Sequence, residues 1–377
     1  MFNIFNLDPE FFSLDISEDS VKFLDIEKSN DKIIGVQVKN LISQRPLIKD
    51  GNIVDEKALL GVLLKIREMT KKNYLAFALP EEKSFLQMIK IPKVEKSKIE
   101  ELVYYEVENY IPLSIKDVYV DFQKVESLAK QDLNHINVLL VAVSKNFVNS
   151  FSQIVKQAGF RSFAFETESL SIARAVVPGQ MTHNPLLIID LGKVKSRFII
   201  FSGNSVRFSS SVSVSSNDFT RKIAKEFNLN PEEAEAEKIK NGIEFQEVLH
   251  LEGTADGFKK ETITNKTIFN STKGCFMNLV NEIQGHLDYY YSHDFCENLP
   301  NENRKINEII LCGGGAYLKG LPEFLEKSFH MEVKLGDPLV NFNSHDRKIL
   351  SNYLGKENSL FFTTTLGLTL RNLYSKT

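Results

Sequence analysis

The chain repeats one pattern of three apolar segments, each separated from the next by a short polar break. In the first copy, FFSLDI at 11–16 is followed by SVKFLDIEK and KIIGVQVKNL. In the second copy, PLLIIDL at 185–191 is followed by SRFIIFSG and SVRFSSSVSV. Runs of Val, Ile, Leu and Phe that end at polar turns predict a three-stranded antiparallel meander in each copy. The matching order of the segments predicts a duplication.

Helical periodicity follows each meander, which makes the predicted class α/β. After the first meander, apolar residues at helical spacing predict a helix with Asp55 as its N-cap. After the second, one helix is expected to begin near Asn217 or Asp218. Another is expected to start at Asn230-Pro231, with Asn230 as its N-cap and Pro231 at the first helical position, and to end at Asn241-Gly242. A longer helix is predicted for KGCFMNLVNEIQGHLDYYYSHD, before a strand, three glycines and a short helix.

The segment between the two copies has its own alternation of strands and helices. It covers 73–165, and we expect it to pack as a small α+β subdomain inserted in the first half. The other predicted boundaries are 1–72 and 166–184 for the first subdomain, 185–377 for the second half, and about 217–305 for a subdomain within that half.

The composition is that of a globular protein without an excess of either charge. The chain has 377 residues, with 46 Lys and Arg against 49 Asp and Glu, giving a net charge of -3. A general nucleic-acid binder would show a basic excess, so we expect no nucleic-acid partner. A single core rarely grows past about 250–300 residues, so two or more domains are expected.

The cysteines and the N-terminal sequence indicate the cellular compartment of the protein. Cys275, Cys296 and Cys312 are widely spaced and form neither a disulfide framework nor a metal-ligand pattern. We find no signal peptide and no window close to the roughly 20 apolar residues that span a bilayer. These features predict a soluble cytoplasmic protein, with any membrane role acting through a partner.

An aspartate ends the first strand of each meander, at Asp15 and at Asp190. Each is followed by an aliphatic residue and then by a small one, Ser17 or Gly192. Small residues at tight turns expose backbone N–H groups to phosphates, and carboxylates hold Mg²⁺, usually through water. The pair therefore predicts a phosphate and metal site in a cleft between pseudo-symmetric halves. The alternative is that each Asp only caps its hairpin turn.

Three consecutive glycines, Gly313, Gly314 and Gly315, separate a predicted strand from a predicted helix. A strand, a glycine-rich turn and a helix N-terminus together favour the negative charge of a nucleotide. The segment GGGAYLKG has neither the GxGxxG of dinucleotide folds nor the GK[ST] of a P-loop, so a close-packed turn is the alternative. The chain contains no HExxH and no GxSxG motif.

The segment between the copies resembles a known family. ALPEEKSFLQMIKIP at 78–92, IEELVYYEVENYIPLSIKDVYVDFQKV at 99–125 and VLLVAVSKNFVNSFSQIVKQAGF at 138–160 are similar, segment by segment, to the PilM family of type IV pilus assembly proteins. The similarity continues to LFFTTTLGLTLRNL near the end of the chain. The family belongs to the actin-like ATPase superfamily. The resemblance therefore implies duplicated actin-like (RNase H-like) domains with an inserted subdomain in the first half.

The resemblance further implies that ATP binds in the cleft, with the subdomain at 217–305 near the base and ribose. The expected nucleotide-binding residues come from two phosphate loops, the adenosine turn and one helix: Asp15, Ser17, Ser20, Lys22, Asp190, Gly192, Lys193, Ser196, Ser215, Ser216, Lys238, Gly313, Gly314 and Gly315. Asp15 and Asp190 are the expected partners of Mg²⁺, through water.

Several positions of the phosphate loops depart from the family pattern. Ser17 stands where the family has Gly, and Ser215 and Ser216 stand where it has a Gly pair. Lys193 and Lys195 stand where small residues are usual. These lysines either help to hold phosphates or act as a cationic substitute for Mg²⁺. Altered phosphate contacts imply binding with weak or no hydrolysis, and no catalytic residue is assigned.

PilM-like proteins hold the N-terminal cytoplasmic tail of PilN, a membrane protein of the type IV pilus alignment complex. The resemblance therefore implies a PilN-like peptide as partner, near Tyr110, Ile111 and Pro112. It also implies contacts with the alignment complex and motor proteins, a location peripheral to the inner membrane through a partner, and assembly as a dimer or filament.

Two other functions stay open from the sequence. One is an active ATPase or phosphotransferase of the same superfold. The other is a filament protein like FtsA, whose usual C-terminal amphipathic membrane helix we do not find in the sequence. In addition, FNIFNLDPE at 2–10 is similar to the tail that PilN offers to PilM, the alternative being the leading edge of the first strand.

Overall fold

The computed structural model contains two large sheets, a smaller third sheet and helices that cover them. It describes residues 9–29, 32–111, 113–126, 134–243, 265–293, 295, 299–300, 304–355 and 358–373. Most of the segment at 2–10 lies outside the described residues. The strands are β1 (Phe11–Ile16), β2 (Ser20–Ser29), β3 (Lys32–Ile42), β4 (Ile48–Lys49), β5 (Asn52–Ile53), β6 (Tyr74–Leu79), β7 (Ser84–Pro92), β8 (Val118–Val125), β9 (His135–Ser144), β10 (Arg161–Thr167), β11 (Thr182–Leu191), β12 (Ser196–Gly203), β13 (Ser205–Val212), β14 (Glu308–Cys312) and β15 (Glu332–Leu335). The helices are α1 (Glu56–Met69), α2 (Ile99–Tyr110), α3 (Lys145–Gln157), α4 (Glu168–Val176), α5 (Ser216–Phe227), α6 (Pro231–Asn241), α7 (Asn265–Ser292), α8 (Leu321–Phe329), α9 (Ser344–Leu354) and α10 (Thr363–Leu373).

The two large sheets have the same strand order, which confirms the duplicated fold. The order is β3-β2-β1-β6-β10 in the first sheet and β13-β12-β11-β14-β15 in the second. In each, an antiparallel meander of three strands is extended by two strands that run parallel to its first strand. The carboxyl ends of β1 and β11 therefore occupy equivalent positions in the two halves.

The strands that begin each meander are buried on both faces. Every residue of β1 is buried, as are the last seven of β11, because helices cover both sides of these sheets. In the first half, α1 and α3 bury their apolar faces together against the sheet. Phe151 of α3 stacks on Phe77 of β6 with ring centroids 3.9 Å apart. Such packing fixes the strand ends that carry the polar turns.

The third sheet, of order β7-β9-β8, belongs to the predicted inserted unit. Val103 and Val107 of α2 pack on one face of it, with Ile89 and Leu140. The predicted segment 73–165 also contains elements that lie outside the third sheet. Strands β6 and β10 pair within the first large sheet, and α3 packs on that large sheet. Sequence periodicity alone assigned those elements to the insertion, since nothing local marks a parallel pairing.

Helices α4 and α10 cross where the two halves meet. Helix α4 follows β10 of the first sheet and leads to β11 of the second, while α10 packs on β1 and β6. A Cβ atom on Gly367 of α10 would lie 1.8 Å from the carbonyl oxygen of Ser171 in α4, so this close crossing requires glycine. Arg174 of α4 also donates to the Gly367 carbonyl at 3.1 Å. The crossing places the first residue of α4 at the base of the space between the sheets.

The predicted helix caps agree with the structure. Asp55 accepts a hydrogen bond from the Ala58 N–H at 2.9 Å, and Asn230 caps α6 in a capping box with Glu233. Helix α5 begins at Ser216, one or two residues before the predicted start. Within the described residues, no helix is both long and apolar enough to cross a bilayer.

Candidate functional site

A cleft of about 1130 Å³ opens between the two halves, at the carboxyl ends of β1 and β11. Its walls contain most of the residues predicted to bind nucleotide: Asp15, Ser17, Ser20, Lys22, Asp190, Gly192, Lys193, Ser216, Lys238, Gly313, Gly314 and Gly315. The duplicated strand order brings these turns together, because it places equivalent strand ends on the two sides of one space.

Each half contributes one aspartate bound by a cation on the neighbouring strand. Asp15 lies opposite Lys22 in the β1–β2 ladder, and the Lys22 Nζ donates to its Oδ2 at 2.9 Å. Asp190 lies opposite Arg197 in the β11–β12 ladder, and the Arg197 Nη1 donates to its Oδ2 at 2.9 Å. The spacing is seven residues in both copies. The duplication thus includes a carboxylate–cation pair as well as the strand pattern.

Arg197 also binds Glu168, the first residue of α4. Its Nε lies 2.5 Å from Oε2 of Glu168, and its Nη2 contacts Oε1. Together with the bond to Asp190, every guanidinium nitrogen therefore faces a carboxylate. Desolvation lowers the pKa of Arg197, but the charges of Glu168, Asp190 and Asp15 outweigh it, so the net shift is upward. Burial raises the pKa of Glu168 to about 8 although Arg197 acts in the opposite direction.

The sequence analysis did not select Glu168 or Arg197. Arg197 could have been found by aligning the two meanders, since it follows Asp190 at the same distance as Lys22 follows Asp15. Nothing local marks Glu168, whose neighbours at the cleft come from distant parts of the chain. A second buried carboxyl, Glu81, stands beside it, and burial raises its pKa against the hydrogen bonds from Ser209 and Ser169.

The lysines of the second turn reach across to the first half. The Lys193 Nζ lies 2.5 Å from Oδ2 of Asp19, and the Lys195 Nζ lies 2.8 Å from Glu82 and 3.1 Å from Asp50. Burial raises the pKa of Glu82, but the ammonium of Lys195 outweighs it and the net shift is downward. Two cations of one half are thus bound by carboxylates of the other, at the mouth of the cleft.

The glycine triplet packs against the end of β11. Gly313 has φ of +79°, and a Cβ atom there would lie 2.5 Å from Oδ1 of Asp190. A Cβ atom on Gly315 would lie 2.6 Å from the Leu191 side chain, and one on Gly314 would lie 3.1 Å from the Phe361 ring. Close packing therefore requires glycine at 313 and 315. The same turn lines the cleft, so a close-packed turn and a position at the candidate nucleotide site are compatible with each other.

Lys238 holds α5 and α6 together at one wall of the cleft. Its Nζ donates to Oγ of Ser216 at 2.8 Å and to Oγ1 of Thr220 at 2.9 Å, and it pairs with Glu235 at 2.7 Å. Burial lowers the pKa of Lys238, and Glu235 only partly restores it. This ammonium is already bound to side chains of its own half, so its first role is to join the two helices.

Two predicted residues do not reach the cleft surface. Ser196 is fully buried, and its hydroxyl donates to the Val214 carbonyl at 2.6 Å. Ser215 is fully buried as the N-cap of α5, where its hydroxyl donates to Asp218 at 2.7 Å. Both serines support the second turn without facing the cleft, since Ser196 of β12 is bonded to the Val214 carbonyl and Ser215 caps α5.

The predicted partner residues lie at the end of α2, in the inserted unit. The Tyr110 side chain is 43% exposed, whereas Ile111 is buried in the core of the third sheet. Pro112 lies outside the described residues. Leu113, which follows, is 39% exposed, so an aromatic and an aliphatic side chain face solvent here.

The carboxylates of the cleft do not fit direct coordination of Mg²⁺. Among the described residues, no group of three or more His, Cys, Asp or Glu could hold a metal ion. Asp15 and Asp190 are each bound by a protein cation, and the Cys312 thiol also bonds to Asp190. Direct coordination of Mg²⁺ by these aspartates would have to compete with Lys22 and Arg197, whereas their predicted role through water stays a prediction.

Comparison with solved structures identifies the fold. The structure of MreB5 of Spiroplasma citri bound to ADP is similar with a TM-score of 0.51 and 16% identity, over 91% of this chain and 96% of that one. A chain of a PilM-PilN type IV pilus biogenesis complex is similar with a TM-score of 0.70 and 20% identity, over 97% of this chain and 99% of that one. The molecule has the actin-like ATPase fold, with two related halves around a cleft.

The family model described as type IV pilus assembly protein PilM matches residues 13–249, so the chain belongs to the PilM family. The model of cell division protein FtsA matches residues 187–355. FtsA of Escherichia coli K12 is 21% identical over 213 residues, which are 54% of this chain and 49% of FtsA. FtsA of Neisseria meningitidis is 20% identical over 207 residues, 53% of this chain. The chain spans about half the length of the curated relatives it matches.

Proposed function

We propose that this chain is a cytoplasmic scaffold of type IV pilus assembly that holds the N-terminal tail of a PilN-like membrane protein. The partner brings it to the inner membrane, and ATP acts in the cleft as a structural or switching ligand with weak or no hydrolysis. The family match over 13–249, which includes the inserted unit, is the observation that carries this proposal. The similarity to a chain solved in a PilM-PilN complex supports it.

The tail is proposed to bind beside the end of α2. Tyr110 and Leu113 are exposed there, next to the apolar core of the third sheet. Aromatic side chains at the edge of an apolar surface are frequent anchors of peptide binding. The partner's remaining contacts with the alignment complex and the motor lie beyond this site.

Titration of the full chain with an N-terminal peptide of the PilN-like protein tests the scaffold. We expect one peptide per chain and a loss of about tenfold in affinity for Tyr110→Ala. Tyr353→Ala is the matched control, because Tyr353 is an exposed tyrosine on α9, and α9 packs on β3 of the first large sheet instead of the third sheet. Absence of binding by the unaltered protein would reject the scaffold.

ATP is proposed to lie between the phosphate turns and the glycine triplet. A ligand that contacts both halves favours a closed cleft, which is how a nucleotide would act as a switch. MreB5 of Spiroplasma citri, which shares the fold, has been solved with ADP and with AMPPNP. Ligand binding to the folded state raises thermal stability, so ATP is expected to raise the Tm of this chain.

The surroundings of Glu168, the buried carboxyl at the base of the cleft, support the proposal of weak hydrolysis. A general base must hold a water molecule with a free carboxylate oxygen. Both oxygens of Glu168 are bound by Arg197, and burial raises the pKa of the group. Phosphate release from ATP under single-turnover conditions is expected to stay near the uncatalysed rate. Steady turnover would favour the alternative of an active ATPase.

A filament protein like FtsA is the second candidate, supported by the FtsA model match to residues 187–355. Such a protein would assemble with nucleotide into polymers. Sedimentation and electron microscopy with and without ATP test this candidate, since polymers that form only with ATP would favour it, whereas the scaffold function requires no such polymer.

A further inference from the structure

The phosphate end of the cleft contains its own positive charge. Lys22, Lys193, Lys195 and Arg197 all line it, and each is paired with at least one carboxylate of the cleft in the absence of a ligand. Phosphates need positive charge to bind, and ammonium groups supply it as point charges. A divalent cation is the other common source, so the question is whether these side chains leave a place for one.

The carboxylate of the second turn is largely buried and is already bound by groups of the protein. Oδ2 of Asp190 accepts from Arg197 at 2.9 Å. Oδ1 lies against the backbone of Gly313, where a Cβ atom would be only 2.5 Å away. The Cys312 thiol bonds to the same carboxylate. Mg²⁺ demands near-octahedral oxygen ligands, mostly water, and the protein has filled this side of the carboxylate with its own atoms.

Arg197 cannot leave this position at low cost. It is bound on two nitrogens by Glu168 and on the third by Asp190, in a largely buried place. Moving it away would leave two buried carboxylates without a cation, which is strongly unfavourable. A divalent ion at Asp190 would also stand beside the guanidinium and be repelled by it.

The carboxylate of the first turn is neutralised in the equivalent way. The Lys22 Nζ donates to Asp15 at 2.9 Å and lies 4.7 Å from the centre of the Phe361 ring, which holds the ammonium in place. Lys22 borders the cleft beside the hydroxyls of Ser17 and Ser20, which lie 2.7 Å from each other. One ammonium can thus neutralise the aspartate and still face a phosphate oxygen.

We propose that the cleft binds the phosphate groups of a nucleotide without a divalent cation. Lys22, Lys193 and Lys195 supply the positive charge to the phosphates, while Arg197 and Lys22 neutralise the carboxylates on which a metal ion would depend. The inference rests on the proposed nucleotide function and states which chemical form of the ligand the site takes: the metal-free nucleotide. The extra lysines Lys193 and Lys195 then take both roles left open for them, since they hold the phosphates in place of Mg²⁺.

Calorimetric titration of the full chain with ATP, in EDTA and in MgCl₂, is the decisive test. We expect the Kd to differ by less than about twofold between the two buffers. A Kd at least about tenfold weaker in EDTA overturns the inference while the proposed nucleotide function stands. Absence of binding in both buffers overturns the nucleotide part of the proposed function and this inference with it.

Two variants sharpen the result. The double variant Lys193→Gln, Lys195→Gln is expected to weaken ATP binding by about tenfold in both buffers. The attraction between the two ammonium groups and the phosphates is lost with or without Mg²⁺. Lys65→Gln, at an exposed lysine of α1, is the matched control and is expected to change nothing. Arg197→Gln frees Asp190, so its ATP affinity is expected to become dependent on Mg²⁺. If Arg197→Gln does not fold, the comparison of buffers with the unaltered chain still decides.

Discussion

Arg197 is the residue on which the largest local effect is expected. Replacing it by Met leaves Glu168 and Asp190 buried without their shared cation, so we expect a loss of about 3–5 kcal/mol in the free energy of unfolding. Urea unfolding above about pH 8, where Glu168 is ionised in the folded protein, measures it. The double variant Arg197→Met, Glu168→Gln removes one of the stranded charges and is expected to recover part of the loss. A loss below about 1 kcal/mol would mean that the pair is solvated.

The raised pKa of Glu168 has a consequence for stability against pH. The folded protein holds a proton on this carboxyl up to about pH 8, whereas the unfolded chain releases it near the ordinary 4.5. Between these values the folded state binds more protons, so its stability falls as pH rises and levels off above about 8. Unfolding free energies across this range, compared with those of Glu168→Gln, isolate the effect. An equally steep fall in the variant would assign it to other groups.

At the residue scale, the two aspartates of the cleft could be predicted from the sequence, whereas the residues that surround them in the folded chain could not. Asp15 and Asp190 end apolar strands, and that position is readable from the pattern. Glu168 lies at the start of a helix far along the chain from Asp15, and only the tertiary fold brings it to the cleft. Ser196 and Ser215 were expected at the site from the family resemblance, but their hydroxyls bond to a backbone carbonyl and to the helix-capping Asp218.

Among the elements, the crossing of α4 and α10 is the most constrained. Gly367→Ala places a Cβ atom about where the Ser171 carbonyl stands, at 1.8 Å, so the helices must move apart. We expect a loss of about 1–3 kcal/mol or more in unfolding free energy. Gly274→Ala in α7 is the matched control: no atom lies within 4 Å of the added carbon, so helix propensity makes it stabilising by about 0.5–1 kcal/mol. Equal effects at both positions would argue against the close crossing.

Elements were predictable where the signal was local, and their assembly was not. The caps at Asp55 and Asn230 follow from side-chain chemistry next to the helix start, and the meanders follow from alternating runs and polar turns. The strands β6 and β10 were assigned to the insertion, because parallel pairing between distant segments leaves no mark in either one. The repeat predicted two pseudo-symmetric halves, and the family resemblance added the actin-like arrangement of their sheets.

For the whole molecule, the ion pairs across the cleft set how the halves respond to salt and to nucleotide. Lys193 pairs with Asp19, and Lys195 pairs with Glu82 and Asp50, in the absence of any ligand. Exposed pairs of this kind contribute about 0–1 kcal/mol each and weaken as ionic strength rises. A phosphate group would compete with the carboxylates for the same lysines. Its binding would therefore replace ion pairs between the halves by contacts in which the ligand joins the halves.

This exchange predicts an open cleft when the lysines are reversed. Lys193→Glu with Lys195→Glu places five carboxylates, those of Asp19, Glu82 and Asp50 included, at the mouth of the cleft, and we expect a larger radius of gyration by X-ray scattering. Lys65→Glu with Lys225→Glu makes the same change in net charge at exposed helix positions and is expected to leave the radius unchanged. High salt should reduce the difference in radius of gyration between the two variants, because screening weakens the repulsion among the carboxylates at the mouth of the cleft. Equal radii at low salt would mean that the halves are held by the α4–α10 crossing alone, and that the lysines act only on the ligand.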